Sequence, residues 1–244
     1  PGISGSLALL VQRYKQLNGN TVPPSMLIKN VACNAAQDLG NPGPDYRFGF
    51  GRINVLNAVR ILEDNRYVLG AGLSTGNINN TNITVPAGAA KLRVMLTWND
   101  PAAAANANPA LVNDLDLTVI NGATTTLPWM LDKSTPSAVA TQAVDNISNI
   151  EQVTIDNPAA GTYTLRVTGT SIPTGPQTYA LSWIIDQPYI EVVYPNGPES
   201  FNPGTSETIT WDNVGVTGNQ TVEFSLDNGA TWTVISSTVP ASTT

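Results

Sequence analysis

Short segments of alternating apolar and polar residues constrain the fold of this 244-residue chain more than any other feature. They lie at 92–98, 115–119, 163–167 and 179–184, and Gly, Pro, Asn and Asp residues separate them. Alternation with a period of two buries one face of a strand and leaves the other in solvent. Strands this short and this closely spaced predict an antiparallel sandwich or barrel over residues 70–186.

The first 66 residues follow a helical pattern instead. Residues 2–11 are small or apolar nearly all round, which predicts a buried helix that ends near Asn18 and Gly19. A second helix is expected after Pro24, and a third at about 55–63. The chain is therefore expected to be mainly β with an N-terminal α-helical segment at 1–66.

Residues 188–244 predict a third unit. Alternating segments at 190–193, 208–211, 222–225 and 232–235 indicate four strands, and an Asp-Asn-Gly sequence at 227–229 is typical of a hairpin turn between the last two. Four strands are few for a sandwich. We therefore expect this unit to be truncated.

Composition limits the chemistry that this chain can carry out. The sequence contains no histidine, so a Ser-His-Asp triad cannot be built from it, and no catalytic residue is predicted. The single Cys33 permits no internal disulfide and no thiolate zinc site. A net charge of −7 disfavours nucleic-acid binding. The sequence contains no run of about 18 apolar residues, so membrane insertion is not predicted.

Two motifs in the helical segment resemble the end of a subtilisin-like (S8-type) peptidase domain. Residues 1–10, PGISGSLALL, resemble the helix that follows the catalytic serine, in which case that serine lies upstream of Pro1. Residues 49–54, GFGRIN, followed by Ala58, resemble the Gly-x-Gly stretch before the last helix of that domain. The resemblance implies a parent enzyme that is a serine-type endopeptidase, a subtilase, whereas the chain as given is predicted to be inactive.

The remaining segments resemble modules of large bacterial subtilases. Pieces such as LTWNDP at 96–101, LVNDLDL at 111–117 and AGTY at 160–163 resemble the jelly-roll, P-domain-like β-barrel of these enzymes, here at 70–186. Residues 194–197 and 225–232 resemble phrases of bacterial Ig-like modules, which implies a partial Ig-like β-sandwich at 188–244. The resemblance also implies secretion by a bacterium, to the medium or the cell surface. Its implied partners are the missing N-terminal part of the peptidase domain and protein substrates of the parent.

Asn113, Asp114, Leu115 and Asp116 form the most informative local motif. Asp114 and Asp116 are two residues apart, so on a strand both carboxylates point to one face and repel each other unless a cation neutralises them. Calcium prefers carboxylate, amide and carbonyl oxygens, and the resemblance to calcium-binding domains of subtilases favours it further. The predicted metal ligands are Asp100, Asn113, Asp114, Asp116 and Asp145. Turn formation by Asp and Asn is the alternative.

Two functions compete on these observations. The first is a calcium-stabilised accessory β-domain of a secreted subtilisin-like endopeptidase. The second is an adhesive or carbohydrate-binding β-sandwich of a cell-surface protein, which a flat exposed row of Trp and Tyr would favour. In subtilases, helices like those of residues 1–66 cover a parallel sheet, which this chain lacks. We therefore expect the segment to be poorly ordered or packed on another surface. The side chains expected to lose their partners are Leu7, Leu9, Leu10 and Val11.

Overall fold

The computed structural model describes residues 1–241. Three helices open the chain, and each lies where the sequence pattern predicts one. They are α1 (Gly2–Leu17), α2 (Ser25–Asn34) and α3 (Val55–Glu63). Asn54 begins α3 by accepting the backbone N–H of Asn57 on its side chain at 3.0 Å, which satisfies one of the free N–H groups at a helix start.

Eight strands then build two antiparallel four-stranded sheets. The first sheet has the order β1-β10-β3-β8, and its strands are Tyr67–Leu73 (β1), Gln177–Asp186 (β10), Lys91–Trp98 (β3) and Ile150–Asp156 (β8). The second has the order β2-β9-β4-β5, and its strands are Ile78–Val85 (β2), Gly161–Ser171 (β9), Asp114–Asn121 (β4) and Thr124–Thr126 (β5). A two-stranded ribbon of β6 (Trp129–Met130) and β7 (Thr141–Gln142) is inserted between β5 and β8.

This strand order is that of a jelly roll, since successive strands up to β4 alternate between the two sheets. The inner faces share one apolar core, which includes Leu96, Trp98, Leu117, Leu165 and Leu181. The fold class predicted from the alternating segments is confirmed. Among the described strands the two sheets remain separate ladders, so the unit is a sandwich and not a closed barrel.

The helical segment packs on the outer face of the first sheet. Leu10, Leu27, Val31 and Ile61 are buried there together with Ala180 of β10. Because α2 covers this outer face, β3 is buried on both sides from Val94 to Trp98, unlike a strand with one solvent face.

Buried polar side chains fix the position of α2 on the sheet. Asn30 is fully buried, and its Nδ2 donates to the carbonyl oxygens of Met95 at 2.9 Å and Ala180 at 3.0 Å. One turn later, Asn34 Nδ2 donates to Ser182 Oγ at 2.9 Å, and Gln152 Nε2 donates to Asn34 Oδ1 at 3.3 Å. These bonds specify one docking position, which apolar contact alone does not.

Of the two outcomes expected for residues 1–66, the structure shows packing on another surface. The expectation that Leu10 loses its partners is wrong, because this side chain is fully buried against α2 and α3. Leu9 does remain 54% exposed, while Leu7 and Val11 are half-buried. The other surface is the outer face of the first sheet, where Ala180 and Ile184 belong to the same buried cluster as Leu10.

The chain ends in two separate antiparallel pairs of strands. They are β11 (Tyr189–Tyr194) with β12 (Thr210–Val214), and β13 (Asn219–Phe224) with β14 (Thr233–Pro240). A strand overlaps each predicted one, although the second runs over 210–214 rather than 208–211, and the assignment to an Ig-like module stays a prediction. Within residues 1–241, no helix has the length and apolarity needed to cross a bilayer.

Candidate functional site

A hydrogen bond between a Glu151 carboxylate oxygen and the backbone of β4 connects the two sheets at the open edge of β4. β5 pairs only with Val119, Ile120 and Asn121, so the first half of β4 has a strand neighbour, β9, on one side only. On the open side, Glu151 Oε2 accepts the backbone N–H of Leu117 at 2.7 Å. Glu151 belongs to β8 of the other sheet, so this bond connects the two sheets.

Three further carboxylates surround this position. Asp114 and Asp116 lie two residues apart on β4, and Asp145 lies in the loop before β8. We call Asp114, Asp116, Asp145 and Glu151 the acidic cluster. Its four formal negative charges face no cation within salt-bridge distance in the described part of the chain.

Burial and mutual repulsion raise the pKa values in the acidic cluster. Burial, then the charges of Asp116 and Asp145, raise the pKa of Asp114 to about 6. Glu151 is 1% exposed, and its burial, together with the charges of the three aspartates, raises its pKa well above the usual value. The hydrogen bond from Leu117 acts in the opposite direction. Both shifts show that the ionised cluster is electrostatically unfavourable without a counter-charge.

Two oxygens of the acidic cluster are buried without a hydrogen-bond partner. They are Glu151 Oε1 and Asp114 Oδ1. A buried carboxylate oxygen without a donor is costly, and a bound ion or water molecule commonly satisfies such an atom. The other two members are partly satisfied: Asp145 Oδ1 accepts the N–H groups of Ile147 (2.9 Å) and Ser148 (3.1 Å), and Asp116 Oδ2 accepts the Thr170 hydroxyl.

These oxygens fit the chemistry of calcium, though not as a finished cage. Calcium takes six to eight oxygen ligands in flexible geometry, and carboxylates are prominent among them. Across residues 1–241, however, no three acidic or cysteine side chains converge in metal-binding geometry. The carboxylates therefore influence each other electrostatically without having closed around a common point.

Asp100 and Asn113, the other two predicted ligands, lie in a separate network that fastens the loop before β4. Asp100 accepts the backbone N–H groups of Val112 and Asn113, each at 2.8 Å. Asn113 is fully buried; its Nδ2 donates to Gln177 Oε1 at 2.7 Å, and its Oδ1 accepts the N–H of Thr174 at 3.1 Å. Of the five predicted ligands, Asp114, Asp116 and Asp145 lie near enough to Glu151 for their charges to act on it. Asp100 and Asn113 instead use their side-chain oxygens in loop hydrogen bonds.

Sequence reasoning missed Glu151 as a member of the site. The sequence feature that could have indicated it is an acidic residue between the apolar Ile150 and Val153 of a strand-like segment. In the structure this residue, Glu151, is nearly inaccessible to solvent. A buried Glu requires a hydrogen-bond donor or a cation.

The comparisons with known proteins concern the same region. Residues 81–169 match the family model described as the bacterial pre-peptidase C-terminal domain. The serine protease/ABC transporter B family protein tagA of Dictyostelium discoideum is 24% identical over 200 residues, which are 73% of this chain and 11% of that protein. The chain therefore spans about a tenth of the length of this curated relative.

Solved structures resemble the chain only distantly. The serine protease of Aeromonas sobria aligns with 14% identity and a TM-score of 0.25, covering 74% of this chain and 42% of that one. The P-domain of Penaeus vannamei nodavirus aligns with 18% identity and a TM-score of 0.25, covering 49% and 94%. Neither TM-score is high enough to carry an argument. Residues 81–169, which include β3, β4 and β8, are thus similar to the bacterial pre-peptidase C-terminal domain, and the curated relative is described as a serine protease.

Proposed function

We propose that this chain is the C-terminal region of a secreted subtilisin-like serine endopeptidase, and that its sandwich is an accessory domain stabilised by calcium at the acidic cluster. The observation that carries the calcium proposal is Glu151. Its side chain is nearly inaccessible, one oxygen is without a partner, and three aspartates repel it. A divalent cation relieves both the unpaired oxygen and the repulsion.

The proposed ligands are Asp114, Asp116, Asp145 and Glu151. Glu151 and Asp114 supply the two buried oxygens without partners, and Asp116 and Asp145 supply negative charge beside them. Asp100 and Asn113 shape the loop that leads into β4, and their oxygens belong to the proposed set only if this loop rearranges. An ion held by β4 and β8 connects the two sheets at their open edge. It stabilises the folded state by RT ln(1 + [L]/Kd), about 2.7 kcal/mol at a hundredfold excess over Kd.

The partner proposed for the helical segment is the remainder of the peptidase domain. A largely apolar groove of about 650 Å³ lies along α1 and α2. The resemblance of residues 1–62 implies that such helices cover a parallel sheet, and the groove offers the apolar surface that this packing needs. Its apolar lining includes Ile3, Leu7, Val11, Ile28, Ala32 and Phe50.

The carbohydrate-binding alternative finds less support in the sandwich. A flat exposed row of aromatic rings would favour it, but Trp98, Tyr163 and Tyr179 are buried in the core. These rings act as core packing, as in most sandwiches.

Calcium titration tests the stabilising role directly. Isothermal titration of the chelator-treated chain is expected to show calcium binding, and thermal melts are expected to shift upward with calcium more than with magnesium. Glu151→Gln, which retains a hydrogen-bond acceptor for Leu117 and removes the charge, is expected to weaken binding at least about tenfold. If the chelator-treated chain with unchanged sequence binds no calcium and its melting temperature does not change on adding calcium, the calcium proposal is wrong.

The protease assignment has its own test. The coding sequence upstream of Pro1 is expected to encode Gly-Thr-Ser-Met-Ala-x, preceded by the Asp and His motifs of a subtilase. An unrelated module at that place would remove the endopeptidase assignment and leave the calcium site to be judged by titration alone.

A further inference from the structure

A small cavity with aromatic walls lies where the helical segment meets the inserted ribbon. Its volume is about 240 Å³. One wall comes from residues 44–50, which follow α2, and the other from residues 129–152, which include β6 and the start of β8. Ligand pockets for whole small molecules usually measure about 300–1,000 Å³, so this cavity is the size of a single side chain.

Three rings line this cavity: Tyr46, Phe50 and Trp129. Trp129 is held in place, since its Nε1 donates to Thr154 Oγ1 at 2.8 Å and the indole lies against the backbone of Gly43. A Cβ at position 43 would come within 3.0 Å of the indole, and the φ of +78° there also favours glycine. Glycine at 43 therefore lets the indole occupy this position beside the cavity.

Charge in the cavity is asymmetric. Asp145 is 4% exposed and lines the cavity, so the negative charge of this site comes from its carboxylate. Lys133 is the only basic side chain among the lining residues, but it is exposed and free to extend into water. The buried wall is thus negative, and the positive group is mobile.

We propose that this cavity binds a cationic side chain, arginine or lysine, of a polypeptide. Aromatic faces attract cations within about 6 Å of the ring centre, and a carboxylate beside such rings adds a charge-assisted hydrogen bond.

This inference does not rest on the protease assignment, and its link to calcium is limited to Asp145. None of the three rings is a proposed calcium ligand, and neither is Lys133; Phe50 alone also lines the groove along α1 and α2. Calcium on the acidic cluster reduces the negative potential, so the cationic side chain is expected to bind more weakly in calcium than in chelator.

The test is a nuclear magnetic resonance titration that follows the indole N–H signal of Trp129, identified by its loss in Trp129→Phe. The probe is acetyl-Gly-Arg-Gly-amide, and its matched control replaces arginine by citrulline, which has nearly the same shape without the charge. Saturable shifts with the arginine peptide, and binding roughly fivefold weaker or more with the citrulline peptide, are expected.

The variant Lys133→Gln distinguishes a cationic from an anionic ligand, and because Lys133 is exposed it leaves the core packing unchanged. For a cationic ligand it is expected to tighten binding about two- to threefold, since it removes an exposed repulsive charge. For an anionic ligand it would weaken binding. No saturable shift of the Trp129 signal, equal affinity for the arginine and citrulline peptides, or weaker binding by Lys133→Gln would each overturn the proposal.

Discussion

Arg93 and Asp186 form a two-point contact between adjacent strands, in which Arg93 Nε and Nη2 donate to the two carboxylate oxygens at 3.2 and 3.1 Å. The third guanidinium nitrogen, Nη1, donates to the carbonyl oxygens of Asn34 and Ala36 at 2.9 and 2.8 Å, at the end of α2. Carbonyls at a helix C-terminus lack intrahelical partners and carry partial negative charge. One arginine therefore satisfies a carboxylate and the end of the helix together.

Arg93→Met is expected to loosen the helical segment from the sandwich. It removes four hydrogen bonds and leaves Asp186 without its cation; the exposed fractions of the two side chains are 12% and 16%. The expected loss is about 2–4 kcal/mol of unfolding free energy, measured by urea denaturation. Hydrogen exchange of α2 is expected to accelerate as well.

A neighbouring surface pair supplies the control for Arg93. Lys91 lies 3.1 Å from Asp156, whose side chain is 71% exposed. Lys91→Met is expected to change stability by less than about 1 kcal/mol. Equal losses for Arg93→Met and Lys91→Met would contradict the role given to Arg93.

Glu151→Gln is expected to change stability in opposite directions with and without calcium. Without calcium, the amide oxygen still accepts the N–H of Leu117, and the repulsion with the three aspartates disappears, so the unfolding free energy is expected to rise. The gain is expected at neutral pH, where the raised pKa of Glu151 makes the ionised carboxyl costly in the fold. With saturating calcium, the variant is expected to be less stable than the parent because it lacks a ligand.

The exposed Glu223→Gln serves as the matched control for charge alone. It is expected to leave the calcium-induced rise in melting temperature unchanged. A destabilised Glu151→Gln in chelator would instead mean that the carboxylate makes a favourable contact in the calcium-free fold.

The pH dependence of the calcium-free protein follows from the same groups. The pKa of Asp114 rises from 3.8 to about 6 on folding, and that of Glu151 rises well above 4.5, so the folded state binds more protons in this range. Their protonated forms stabilise the fold fully below about pH 4, and this contribution is lost as pH rises through 6. The melting temperature in chelator is expected to fall between pH 4 and pH 7.

The double variant Asp114→Asn, Glu151→Gln isolates this contribution from the other carboxylates. Asp45, Asp132 and Asp227 have lowered pKa values, so their effect has the opposite sign and falls at lower pH. The fall between pH 4 and pH 7 is expected to be smaller in the double variant. Parallel curves for the two proteins would mean that other groups cause the pH dependence.

The sequence predicted local structure well where one periodicity dominates. The helix at 55–63 and the strands at 92–98 and 179–184 follow from 3.6-residue and two-residue patterns, and the structure has them. Contacts between residues far apart in the chain could not be predicted from these local patterns. Asn30 looks like an ordinary helix-surface residue, yet it is fully buried because α2 lies across β3 and β10.

The candidate site divides in the same way. Asp114 and Asp116 were predictable as a pair because strand geometry puts residues two apart on one face. That Glu151 joins them depends on β8 of one sheet passing the open edge of β4 in the other, which no local pattern encodes. Asp100 was grouped with them because it stands at the end of the preceding strand, whereas its carboxylate accepts two backbone N–H groups of the loop before β4.

Gly51→Ala tests why the Gly-x-Gly stretch before α3 needs its second glycine. Residues 37 and 52 pair through two backbone hydrogen bonds of 2.8 Å, which bring Gly51 against the chain at Gln37. A Cβ at 51 would lie 1.9 Å from the Gln37 carbonyl oxygen, and the φ of +104° is unfavourable for any L side chain. The expected loss is roughly 3 kcal/mol or more of unfolding free energy by urea denaturation, because the bridge must break.

Gly49→Ala is the control that separates backbone strain from steric collision. Gly49 also has a positive φ (+61°), but a Cβ there would meet nothing within 4 Å, so the variant is expected to cost only about 1 kcal/mol. Similar losses at both positions would show that backbone conformation alone, and not the close approach to Gln37, requires glycine at 51.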